Sequence, residues 1–274
     1  MTKRHIVASS GGFVQTDRWG VVVPGQIFKR ALELTGKARP RILFVLTASG
    51  DNPGYLATSY QAVSGLGVDV EHLALFTQPN VPVDEAFGRA DLVWVGGGSV
   101  ANLLALWRLH GVDVAAKDAW ERGVVLGGVS AGSICWHVGG PTDSFGPKLE
   151  TVSNGLALLP FGNGVHYDTE AQRRPLLHSL VSGGTLPLSY ATDDHAAIVY
   201  EGVNAVNKVR DILGSTDPSK ASCGTVRREF GTNIMVNAAH ASDSADNAER
   251  EMGIVQIKEN NLKPLIDGWF TKKS

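Results

Sequence analysis

Short, almost continuously apolar runs alternate with segments of helical periodicity through the first two thirds of the chain. HIVASS (5–10), RILFVLTAS (41–49), VDVEHLALF (68–76), DLVWVGGGS (91–99) and the run from Val124 to Leu126 read as strands. Between them, IFKRALELTG (27–36), GYLATSYQAVSGLG (54–67), VDEAFGRA (83–90), VANLLALWRLHG (100–111) and AAKDAWERG (115–123) read as helices. Gly36 is placed to cap the first helix, and Leu103, Leu104 and Trp107 share one face of the fourth. Strands apolar on both faces belong to parallel sheets with helices on either side. The rhythm therefore predicts an α/β fold, a three-layer αβα sandwich around a mainly parallel, doubly wound sheet.

Beyond about residue 185 the texture changes. LPLSYATDDHAAIVYEG (186–202) reads as two strands joined by a polar turn. ASCGTVRREFG (221–231) and MGIVQIKEN (252–260) suggest further strands extending one edge, and NAAHASDSADNAER (237–250) an exposed loop or short helix. No repeat or linker stands out. The expectation is one domain over 1–274, with a motif-bearing core at about 5–202 and residues 203–274 as a C-terminal extension packed on it.

Composition narrows the chemistry. A formal net charge of −2 over 274 residues argues against a nucleic-acid partner. Cys135 and Cys223 are the only cysteines, so neither a disulfide framework nor a CxxC metal site is expected. No apolar stretch reaches membrane-spanning length and the N-terminal run is too short for a signal peptide. A soluble cytoplasmic protein without membrane partner or metal is the resulting expectation.

The run ending at Leu126 leads into Gly128-Val129-Ser130-Ala131-Gly132, the pattern G-x-S-x-G. There a serine sits on a sharp strand-to-helix turn with its hydroxyl presented at the top of the sheet. The plainer alternative is a glycine-rich turn that happens to hold a serine. VWVGGGSVANLL (93–104) adds a strand, three glycines and a helix start. It lacks the spacing and lysine of phosphate loops. It suits an oxyanion hole, with Gly98 the leading donor, Gly97 beside it and Ala131 the second.

A nucleophilic serine needs a base and a carboxylate to orient that base. Of eight histidines, His166 follows a glycine-rich approach that would place it at a strand end, and His195 is the second candidate. His137 reads as a packed residue after the elbow and His178 as a helix-surface residue. Asp143, Asp168, Asp193 and Asp194 are the carboxylates on offer, and order alone does not choose among them.

Taken together, VGGGSVANLLALWRLHG, ERGVVLGGVSAGSICW, GVHYDTEAQRRP and YATDDHAAI resemble the peptidase E family of serine exopeptidases, which includes aspartyl dipeptidase and the cyanophycinases. The resemblance spans roughly residues 5 to 202 and implies a fold like that of class I glutamine amidotransferases. It implies Ser130 as nucleophile, His166 as base and Asp194 as the orienting acid, with Asp193 and then Asp143 as alternatives. It implies hydrolysis of short peptides, dipeptides with N-terminal Asp among them, through an acyl-enzyme and without a cofactor.

Two departures matter. Ser99 stands where the aspartyl dipeptidases carry Asn after the glycines, and Glu170 falls where they carry a substrate-recognising Arg. Arg173 and Arg174 are close enough in sequence to substitute, while Glu170 or Asp168 could pair with a substrate ammonium. The stretch beyond about residue 203 matches the family poorly and is expected to shape the pocket or serve a homodimer or larger homo-oligomer. The rival readings are a cyanophycinase-like hydrolase or esterase with the same triad, an inactive binding homologue, and a doubly wound nucleotide-binding protein.

Overall fold

A computed structural model of the chain describes residues 3–202, 213–234 and 250. Backbone contacts divide the chain into two compact units, one spanning Thr2–Gly202 and the other comprising Val203–Ser274 with Met1. The division falls where the motif-bearing part of the sequence ends.

In the larger unit a six-stranded sheet is assembled from β1 (Arg4–Ser9), β4 (Arg41–Val45), β5 (Asp69–Leu73), β6 (Leu92–Val95), β7 (Val125–Val129) and β12 (Ala197–Gly202). Its order is β12-β1-β7-β6-β4-β5, parallel throughout except for β12, which runs antiparallel to β1. β2 (Phe13–Gln15) and β3 (Val22–Pro24) form a hairpin, as do β8 (Gly140–Thr142) and β9 (Glu150–Val152). β10 (Gly162–Gly164) and β11 (Ser189–Ala191) form a separate parallel pair.

Strand alternation explains the layering. Ile42, Phe44, Leu92 and Trp94 point to one face, where Phe28 and Ala31 of α1 (Gln26–Leu34) and Val63 of α2 (Pro53–Val63) cover them. Leu43, Val45, Val93 and Val95 point to the other face. There they meet α3 (Val83–Arg89), α4 (Val100–His110), α5 (Val112–Arg122) and the short α6 (Ala131–Ile134). On the first face Phe28 lies edge-on to Trp94 with ring centroids 4.9 Å apart. Each fully buried large apolar side chain of this kind contributes roughly 1.5–3 kcal/mol.

The expected strands and helices of residues 5–129 are present with shifted ends. The strand expected over 41–49 stops at Val45, and Thr47–Ser49 turn as a 3-10 helix whose Thr47 hydroxyl accepts a hydrogen bond from Trp107 Nε1 at 3.2 Å. The segment 186–202 does contain two strands, yet they pair with different partners, β11 with β10 and β12 with β1.

In the smaller unit, residues 221–231 hold a helix, α8 (Val226–Phe230), instead of the strand suggested by the sequence. Glu229 reaches back to accept the N–H of Gly224 at 3.0 Å, and buried Arg227 donates to the Gly214 carbonyl at 2.8 Å. Pro218–Lys220 form a 3-10 turn capped by the Asp217 side chain. The strand suggested over 252–260 lies outside the described residues, as does nearly all of 237–250.

His137 follows α6 in the full interior of the larger unit. Its Nδ1 lies 2.9 Å from the Ser133 carbonyl, which only accepts, so Nδ1 carries the proton and Nε2 takes the Tyr200 hydroxyl at 3.4 Å. Burial lowers its pKa from 6.5 to about 4, while burial and neighbouring Tyr190 push the Tyr200 phenol up to about 12. Between pH 6.5 and about 4 the unfolded chain therefore binds a proton that folded His137 refuses. Stability falls as pH drops through that window, approaching a loss of about 3 kcal/mol at its lower end. Urea unfolding at the two ends of the window checks this, and His137→Gln is expected to flatten the difference.

Candidate active site

Ser130 stands between β7 and α6 with φ 57 and ψ −112, a conformation rare for a residue with a side chain. The flanking glycines permit it. A Cβ on Gly132 would lie 2.3 Å from the Val95 carbonyl oxygen, and one on Gly128 would lie 2.7 Å from the same oxygen. No other residue fits either position without moving backbone.

His166 and Asp194 are brought together by the parallel pairing of β10 and β11, which aligns Gly164 with Ala191. His166 follows one strand and Asp194 the other, at the same end of the ladder. Thr192 N–H then donates to Gly164 O at 2.9 Å and Tyr167 N–H to Thr192 O at 3.2 Å, continuing the register past the strands. His166 Nδ1 meets Asp194 Oδ1 at 2.5 Å, both side chains being partly exposed. That hydrogen bond holds the Asp194 carboxyl below its ordinary range, with slight burial opposing and the Thr169 hydroxyl assisting. Asp168 accepts the N–H of Asp194 at 2.9 Å, so it fixes the turn. Asp143 sits elsewhere, 63% exposed beside Arg173. His195, the alternative base, is exposed in the same turn, where its backbone packs against Gly11.

The elbow and the His166–Asp194 pair belong to different sheets and are joined through Ser9 and Ser10 at the end of β1. Ser9 O accepts the N–H of Ser130 at 3.0 Å, and Ser9 Oγ donates to Gly128 O at 2.8 Å. Ser10 Oγ accepts the N–H of His166 at 3.0 Å and lies 2.6 Å from Thr192 Oγ1. Its main chain binds Ala196 O and the N–H of His195. A second tie runs from Ser133 in α6 to Asn163 in β10 at 2.9 Å. Sequence reasoning passed over Ser10. A buried, polar Ser-Ser pair ending an otherwise apolar strand is the signal that could have found it.

The glycine loop after β6 approaches the elbow, since a Cβ on Gly97 would sit 3.4 Å from Ser130 Cβ. Gly96 N–H donates to Val45 O and Ser99 N–H to Ala48 O. Gly98 has φ 134, and its missing Cβ would clash with Ala48 O at 2.2 Å. Among the described residues the N–H groups of Gly98 and Ala131 have no protein acceptor. Ser99 caps α4 by accepting the N–H of Asn102 at 3.2 Å, which accounts locally for serine at that position.

The model of peptidase family S51 matches residues 6–207. The chain belongs to that family. A Bacillus subtilis relative, the uncharacterized peptidase YgaJ, is 41% identical over 195 residues, covering 71% of this chain and 82% of that protein. The crystal structure of a putative peptidase E from Listeria monocytogenes superposes with TM-score 0.54 at 18% identity, over 74% of this chain and 96% of that one. That likeness concerns the fold.

A second family model, nucleoside diphosphate kinase, matches residues 166–260. The kinase of Dehalococcoides mccartyi (strain ATCC BAA-2266) is 52% identical over 58 residues, which are 21% of this chain and 41% of that protein. The two matches overlap, but residues up to Gly202 fold within the S51 unit, where β12 completes its sheet.

In this S51 peptidase the two candidate arginines part company. Arg173 is 2% exposed, with Nε 2.7 Å from Glu170, Nη1 2.6 Å from Pro141 O and Nη2 4.0 Å from Asp143. It is occupied in holding β8 to the turn that carries Glu170. Arg174 lies over the Tyr167 ring at 4.8 Å. Glu170 remains 41% exposed, its charge shared with Arg173. Among the described residues no helix is long and apolar enough to cross a membrane.

Ser10→Ala removes the acceptor for the His166 N–H without touching a reacting group. It is expected to lower kcat by about ten- to a hundredfold while KM changes little. Steady-state kinetics on any peptide the enzyme cleaves would test this, and a rise in KM at constant kcat would refute it.

Proposed function

We propose that this S51 peptidase is a serine exopeptidase acting on short peptides, with Ser130 as nucleophile, His166 as base and Asp194 as the residue that orients the imidazole. The observation that carries the reading is the 2.5 Å contact of His166 Nδ1 with Asp194, tied through Ser9 and Ser10 to a positive-φ serine elbow. With Nδ1 engaged by Asp194, Nε2 is left to take the proton from Ser130 Oγ as it attacks the scissile carbonyl. The resulting oxyanion falls to the N–H groups of Gly98 and Ala131. His166 then protonates the departing amine and activates the water that hydrolyses the acyl-enzyme.

The placement of the arginines supports a preference other than N-terminal Asp. Arg173 is buried and already paired, Arg174 is stacked on Tyr167, and Glu170 offers a carboxylate suited to a substrate ammonium. A panel of X-Leu dipeptides with X as Asp, Glu, Asn, Ala, Leu and Lys is expected to show cleavage in which Asp-Leu is not preferred. Ser130→Ala should fall by about 10⁴-fold or more in kcat. Glu170→Gln should raise KM. Exclusive cleavage of Asp-Leu would sink the specificity reading, and full activity of Ser130→Ala would sink the mechanism.

The likeness to nucleoside diphosphate kinases raises phosphoryl transfer as a second reading for residues 166–260. We expect the chain not to catalyse it. The match begins at residue 166, and its residues up to Gly202 fold into the S51 unit, whereas a transfer site needs groups positioned by a whole kinase fold. Incubation with ATP and a nucleoside diphosphate should give no transfer above background, and stoichiometric turnover by purified protein would overturn this.

A further inference from the structure

Behind the His166–Asp194 turn lies a cavity of about 780 Å³, bounded by α7 (Arg173–Ser182), β11 and the start of β12. It is lined by Tyr167 and Asp193, chain neighbours of the two triad residues, but by neither His166 nor Ser130. Its volume is in the range of small-molecule sites.

The lining has a definite polarity. Arg174 and His178 project from one face of α7, spaced by one turn, and both engage Tyr167. The Arg174 guanidinium stacks on the Tyr167 ring at 4.8 Å and the Tyr167 hydroxyl lies 2.7 Å from His178 Nε2. Stacking fixes the plane of the guanidinium and leaves its edge donors outward, the arrangement that binds a carboxylate. Asp193 contributes a carboxylate to the same cavity. Among the described residues neither Arg174 nor Asp193 takes part in an ion pair. Leu177 and Ile198 supply apolar wall.

We infer that this cavity binds a small zwitterion, an amino acid or dipeptide with an apolar side chain, its carboxylate on Arg174 and its ammonium on Asp193. The site is separate from the acyl-transfer centre, and its occupant bears on both triad residues through the adjacent Tyr167 and Asp193. That the ligand class matches the enzyme's own products rests on the proposed function; the cavity and its charges do not.

Titration calorimetry with free leucine tests the inference on the intact chain. Binding should persist in enzyme whose Ser130 has been blocked by a fluorophosphonate. Leucine amide, which lacks the carboxylate, and N-acetyl-leucine, which lacks the ammonium, should each bind at least tenfold more weakly. Arg174→Ala and Asp193→Asn should separately weaken leucine by about tenfold or more. Absence of binding at millimolar leucine would overturn the site, as would affinity unchanged in both variants or abolished by the phosphonate. If Ser130 resists the phosphonate, the peptidase mechanism is what fails, and the two variants and two leucine derivatives still decide the cavity.

Discussion

The backbone contact between the end of β6 and the start of α6 is the constraint on which the centre of this protein depends. The Val95 carbonyl oxygen would lie 2.7 Å from a Cβ on Gly128 and 2.3 Å from one on Gly132. Only glycines let strand and helix close to that distance, and only then does the intervening turn force Ser130 to φ 57. The sharp turn and the Ala131 N–H, left without a protein acceptor among the described residues, share one origin. Gly98 repeats the device against Ala48 O on the neighbouring loop. Strain at these positions is sustained by the surrounding core, where Val93, Val95 and Leu126 are fully buried.

Around that point, positioning is delegated to polar contacts at strand ends. Ser9 holds the elbow through its carbonyl, and Ser10 holds His166 and the Asp194 turn through its hydroxyl and main chain. A parallel sheet delivers its C-terminal strand ends to one edge, and loops leaving that edge meet there. The short β10–β11 ladder lies outside the main sheet but obeys the same geometry, so two residues 28 apart in sequence become neighbours.

Charge is arranged with similar economy. Arg173 and Arg174 are adjacent in sequence and opposite in role, because successive helical residues point about 100° apart. One is sealed against Pro141, Glu170 and Asp143, and the other stacks on Tyr167 in the lining of the cavity beside α7. The boundary at Gly202 has a comparable logic. β12 is the last strand of the S51 unit, and the kinase match over 166–260 runs across that boundary into the unit beyond it.

The sequence alone determined the layered α/β architecture, because continuous apolar strands and 3.6-residue periodicity are local signals that tertiary packing reinforces. It also determined the serine elbow and the glycine loop, since both reflect steric demands within a few residues of themselves. His166 and Asp194 were legible as partners only through motif resemblance, since the residues and their order did not choose among the carboxylates. That pairing depends on β11 joining β10 in parallel, a contact between distant segments that alternation in 186–202 does not encode. The strand suggested over 221–231 became a helix for a related reason: Val226 and Phe230 fit either period, and the contacts of Glu229 and Arg227 with nearby backbone select the helix. Only the tertiary structure decided that Ser10 is a tie, that Arg173 is buried and that Arg174 stacks on Tyr167. Each of those outcomes turns on which surface a side chain meets, and that is settled by how the elements pack.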